Sequence, residues 1–230
     1  MSERIERFYE LIKNHKNDFE LLKAYQLEIK DYIIARDPFD AEFNIFAGID
    51  VAYDEKYGYA GCVIYDLDQE KVIKTHSIIS EITFPYVSTF FSFREGPIIL
   101  KLFETIDFNK IDLIFLNGHG LMHPRIGLAS HIGYLLDIST IGIASNSLIG
   151  SHADKTLNKG DNLEIFENGK VIGLVYQSQS NVNPIYISIG HKISLYKALE
   201  MTSKLIKNDK FPIPLMEAHK LANQVKSKSN

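Results

Sequence analysis

Asp50 interrupts an apolar run, Ala47-Gly48-Ile49-Asp50-Val51-Ala52-Tyr53, where a carboxylate must be paired, exposed or holding a cation. Glu95 ends an aromatic segment, Pro85-Tyr86-Val87-Ser88-Thr89-Phe90-Phe91-Ser92-Phe93-Arg94-Glu95-Gly96-Pro97, directly after Arg94. A third polar group follows the apolar stretch 111–116: Asn117-Gly118-His119-Gly120-Leu121-Met122-His123-Pro124-Arg125. Two glycines there let backbone approach a ligand, and a polar turn at the carboxyl end of a central strand is where open α/β sheets place their active sites. Each feature alone has a plainer account. Asp50 could cap a turn, Glu95 could pair with Arg94 on the surface, and the histidines could be bonded to backbone.

The elements that must hold these residues follow from periodicity. Residues 2–36 carry Ile5, Phe8, Leu11, Ile12, Leu21, Leu22, Tyr25 and Ile29 at helical spacing, which predicts one or two amphipathic helices stopped by Asp37-Pro38. Strand patterns over 43–53, 59–65 and 71–80 predict an antiparallel meander, with Asp66-Leu67-Asp68-Gln69 as a turn. Helix 93–106, strand 111–116, helix 126–136 and strand 140–144 come next. A polar stretch over 151–170 follows, then a strand pair at 171–176 and 184–189 and a helix over 194–207. Residues 209–230, with Pro212 and Pro214, read as a tail whose last five residues are disordered. Three antiparallel strands followed by alternating helix and strand is an RNase H-like order. The expectation is a single α/β domain over 1–230, with a central mixed sheet flanked by helices.

Composition narrows the function classes. With one cysteine, Cys62, no internal disulfide framework exists, and a reducing, cytoplasmic setting is expected. No apolar run reaches the length of a membrane span, and the charged opening Ser2-Glu3-Arg4 carries no amino-terminal targeting signal. A net charge of −4 does not advertise nucleic-acid binding, although a local basic groove can coexist with an acidic whole. Tryptophan is absent, so aromatic contact with bases falls to Tyr and Phe.

From about Phe46 to about Leu199 the chain resembles the endonuclease V family, through GIDVAY, PYV…F.SFREGP, NGHG..HPR.GLASH.G…D..TIGIA and YISIGHKISL in family order. The resemblance implies an RNase H-like fold and magnesium-dependent nicking of DNA or RNA near a deaminated base, hypoxanthine above all. It places metal carboxylates on Asp50 and Glu95 and at position 117, His123 beside the scissile phosphate, and Tyr86 as a wedge filling the gap left by an extruded base. Phe91 and Gly118 would line the base site, Gly118 because any side chain there would collide.

Several family-charged positions are uncharged. Position 117 is asparagine, the family lysine falls on Ser145, and a late acidic residue falls on Tyr196. The Pro-Gly of the wedge reads Ser88-Thr89. Magnesium demands hard, charged oxygens, and Asn117 offers a neutral carbonyl. Asp112 cannot substitute, since it lies five residues up the same strand, roughly 16 Å away at ~3.3 Å per residue. The expectation is therefore a family-type site for deaminated nucleic acid with weakened Mg2+ binding (Mn2+ the alternative) and impaired or altered cleavage. The competing reading is a non-catalytic family member that binds nucleic acid or a protein partner.

Overall fold

The computed structural model describes residues 2–229. Alternation along its apolar runs builds an eight-stranded mixed sheet of order β3-β2-β1-β4-β5-β8-β7-β6. The meander comprises β1 (Ile45–Tyr53), β2 (Tyr57–Asp66) and β3 (Lys71–Glu81). The Asp66 carboxylate closes the β2–β3 turn by accepting from the Gln69 amide at 3.0 Å. β4 (Leu113–Asn117) and β5 (Ser139–Ala144) extend the sheet parallel to β1. β6 (Asn162–Glu167), β7 (Lys170–Tyr176) and β8 (Ile185–His191) complete it antiparallel, with β8 beside β5. This is the RNase H-like arrangement the element order predicts.

The two faces of the sheet bury different sets, as a period of two requires. Ala47, Ile49, Ile114 and Leu116 meet α3 (Phe91–Phe103) and α4 (Leu128–Leu136) on one face. Phe46, Leu113, Phe115 and Ile141 meet α5 (Leu195–Lys204) and the start of α6 (Ile213–Ser229) on the other. The amino-terminal helices α1 (Glu3–His15) and α2 (Phe19–Lys30), capped by Ser2 and Asp18, form a third cluster with Phe84, Phe90 and Phe93. The turn that leads into β4 is fixed by Asp112, whose carboxylate accepts from the Asn44 and Ile45 amides at 2.9 and 2.7 Å. That role confirms Asp112 as a structural group far from the strand's polar end.

Two expectations fail. The polar stretch before Asn168-Gly169 contains β6, because Ile165 points inward while its neighbours face solvent along an edge strand. The region read as a carboxyl-terminal tail is instead helix α6, which runs through Lys226 and Lys228 to Ser229; Asn230 lies outside the described residues. Pro214 sits in the first turn, where its missing N–H costs nothing, and Leu215, Ala218 and Ala222 are buried against β1 and β2. Small residues on the sheet make room for this helix. A Cβ on Gly48 would lie 2.1 Å from the carbonyl of Pro214.

Gly48→Ala should therefore push α6 off the sheet. The expected loss is about 1–3 kcal/mol, the range for overpacking in a close-packed interior. Urea unfolding measures it, and an unchanged midpoint would show that α6 is not seated against β1.

Candidate functional site at the carboxyl end of β1 and β4

In the parallel β1–β4 pair Ile49 sits opposite Leu116, so the next residues, Asp50 and Asn117, emerge side by side. Their side chains converge: Asn117 Nδ2 donates to Asp50 Oδ1 at 2.9 Å. Asp50 shares the sheet face of Gly48, the face covered by α6, and His219 Nδ1 on that helix donates to Asp50 Oδ2 at 2.6 Å. Both oxygens of a buried carboxylate are thus held, by a neutral amide on one side and an imidazole on the other.

Glu95 approaches from α3 and is also buried. It forms no salt bridge among the described residues; the Arg94 guanidinium instead donates to the Phe84 carbonyl at 2.9 Å and lies over the Tyr53 ring. The surface ion pair that the sequence allowed is absent. Burial holds the Glu95 carboxyl well above the usual carboxylate range, and the charge of Asp50 adds to this, while Tyr53 and Arg94 oppose it.

These side chains line a cleft of about 630 Å³. Its walls include Tyr86, Phe91, Asn117, Gly118, His119 and His123. Tyr86 is 73% exposed and packs edge-on to Phe91, with ring centroids 6.5 Å apart. His123 is buried, and its Nδ1 accepts from the Arg125 amide at 3.1 Å. Burial, with the positive charge of Arg125 added, lowers its imidazole to about 3, so it is neutral at physiological pH. His119 bonds the Asn146 carbonyl through Nε2 at 2.9 Å, which ties the β4 turn to the loop after β5. Gly118 has φ +155°, a backbone conformation side chains rarely adopt. The space beside it is less tight than expected, since a Cβ would reach Leu128 only at 3.4 Å. The glycine is needed for its backbone rather than for clearance.

Ser145 is exposed just past β5 and is not among the cleft-lining residues. Tyr196 also stands apart, 60% exposed on α5 with its hydroxyl bonded to Glu164. No acidic side chain takes the place expected at Tyr196; the group that does reach Asp50 from the carboxyl-terminal region is the imidazole of His219. Treating 209–230 as a tail hid it. The signal was present in Leu215, Ala218 and Ala222, whose helical spacing seats α6 and projects His219 towards β1.

Two carboxylates, an imidazole and an amide oxygen suit a divalent cation, and Asp50, Glu95 and Asn117 open on the same cleft. The fit is loose. Among the described residues no three His, Cys, Asp or Glu side chains already stand at metal-binding spacing. Asn117 is where such a cluster is broken, since its nitrogen, not an anionic oxygen, meets Asp50. The imidazole also departs from the all-oxygen donor set that magnesium prefers.

A carboxyl that resists ionisation in the fold contributes stability at low pH that is lost as pH rises through its raised value. In metal-free buffer Glu95→Gln should unfold at higher urea than the parent at pH 8, with the advantage shrinking towards pH 4. A parent midpoint independent of pH across this window would contradict the assignment.

Among the described residues, no helix is long and apolar enough to cross a membrane. The sequence model of the family described as Endonuclease V matches residues 27–220. Endonuclease V from Thermosipho melanesiensis is 40% identical over 194 residues, which cover 84% of this chain and 85% of that protein. The crystal structure of the Bacillus subtilis Endonuclease V aligns with a TM-score of 0.86 at 27% identity, covering 94% of each chain. Ciona intestinalis Endonuclease V, solved in complex with a 24mer DNA containing an inosine followed by a ribo-adenosine, aligns with a TM-score of 0.81 at 26% identity, over 93% of this chain and 99% of that one.

Proposed function

Because the chain belongs to the endonuclease V family, we propose that it recognises nucleic acid carrying a deaminated base and cleaves the strand slowly, with a metal requirement shifted from Mg2+ towards Mn2+. The observation that carries this reading is the pair Asp50–Asn117, hydrogen-bonded through an amide where Asp50 and Glu95 meet the cleft, with His219 on the other oxygen of Asp50. The Ciona protein's inosine-containing DNA supports the substrate class.

The residues divide the work. Asp50, Glu95, His219 and the Asn117 oxygen would hold the ion. A bound divalent cation supplies charge that activates water and stabilises a leaving oxygen. Glu95, reluctant to ionise, can hold a proton in the absence of that charge. His123, neutral and fixed by the Arg125 amide, can orient water or donate to a phosphate oxygen without adding positive charge. Tyr86, exposed at the rim with Phe91 behind it, is shaped to enter a base stack. Gly118, through its backbone conformation, forms the floor between them.

The placement of Ser145 favours the second reading, a non-catalytic member that binds without cutting. No cation replaces the family lysine at that position, and Ser145 is not among the residues that line the cleft. Losing one such electrostatic group costs a rate factor of about 10²–10³.

Nicking of inosine-containing DNA and RNA, with Mg2+ and with Mn2+, separates the readings. The expected result is faint cleavage with Mn2+, and cleavage about 10²-fold faster for Asn117→Asp combined with Ser145→Lys. Binding of the same strands should change much less. Rapid turnover by the unmodified chain with Mg2+ would overturn the impaired-enzyme reading, and no nicking by the restored variant would favour the binding one.

A further inference from the structure

The cleft wall that carries Tyr86 is tied to the amino-terminal helices by a buried polar cluster. Gln26, on α2 and 1% exposed, donates from Nε2 to the carbonyls of Thr89 and Ile126, each at 3.2 Å. Its Oε1 accepts from Arg125 Nε at 2.7 Å. Arg125 then reaches Thr89 twice through Nη2, at 3.1 Å to the carbonyl and 2.5 Å to Oγ1, and its guanidinium covers the Phe90 ring at 4.8 Å. Thr89 is held at φ +68°, in the left-handed region that a β-branched residue disfavours. A strained residue persists only where its surroundings over-determine it, and here three hydrogen bonds from two side chains, Gln26 and Arg125, do so. Among the described residues no carboxylate forms a salt bridge with Arg125, so the guanidinium is committed to this loop.

We propose that Gln26 and Arg125 are positioning residues that lock the 84–90 loop, and with it Tyr86, in the shape that faces the cleft. The cluster joins three segments far apart in sequence: α2, the loop before α3 and the turn after His123. The same Arg125 fixes His123 through its backbone amide. One cluster therefore sets both the rim aromatic and the buried imidazole. α2 serves here as a brace for the site rather than as a separate docking element. The proposal rests on the nucleic-acid reading only for the consequence on binding; the mechanical claim stands without it.

The absence of tryptophan allows a direct test. Tyr86→Trp installs a single reporter at the rim, and Phe166→Trp, on the far edge strand, serves as a remote control. In the Tyr86→Trp background, Gln26→Met removes the polar contacts at similar size, and Thr89→Val removes only the hydroxyl anchor. Acrylamide quenching of the rim reporter should rise by a factor of about two for Gln26→Met and less for Thr89→Val, as local opening requires, with the remote reporter unchanged. Affinity for an inosine-containing oligonucleotide should fall about tenfold as pre-organisation is lost. Unchanged rim quenching, or an equal rise at both reporters, would overturn the proposal. If the parent binds no such oligonucleotide yet rim quenching still rises, the brace stands and the nucleic-acid reading falls.

Discussion

The hydrogen bond from Asn117 to Asp50 is the constraint on which the chemistry of this molecule turns. Sheet register fixes it. Parallel pairing of β1 and β4 brings residues 50 and 117 together at one end of the sheet, and the period of two puts both on the face covered by α6. An amide at this point lets a buried carboxylate sit without a second negative charge beside it, which eases folding in the absence of a metal. The same amide removes the anion that would draw a metal in. Stability and ion affinity thus pull in opposite directions at one side chain.

The rest of the structure serves that corner. Gly48 lets α6 press against β1, and the helix delivers His219 to the other oxygen of Asp50. α3 brings Glu95 to the same end of the sheet, buried beneath Tyr53 and Arg94. The glycine turn after β4 carries His119 and His123, each tied to backbone. Every ionisable group around the cleft therefore has its position set by an element packed elsewhere. The site is assembled even though its metal donors are incomplete.

Much of this was legible in the sequence. Asp50, Glu95, Asn117, His123, Tyr86, Phe91 and Gly118 all line the cleft, because strand alternation and turn chemistry are local signals. The meander and the alternating helices were legible for the same reason. What escaped was non-local or weakly amphipathic. Lysines, serines and two prolines mask the buried stripe of α6, which exists only because glycines on the sheet admit it. With the helix went His219, the nearest titratable partner of Asp50. The edge strand β6 was hidden by its polar outer residues. No pattern in residues 19–30 announces that Gln26 reaches the 84–90 loop, since a buried glutamine on a helix is visible only once its partners are in place.

An amide in place of an anion at position 117 weakens ion binding while leaving the site assembled. Calorimetric titration of Mn2+ into the parent chain and into Asn117→Asp tests it most directly. A carboxylate there should tighten binding by at least about tenfold, the effect of about 1.4 kcal/mol, by adding a charged hard ligand beside Asp50. Equal affinity in the two proteins would show that position 117 does not face the ion, and the account would fail at its centre.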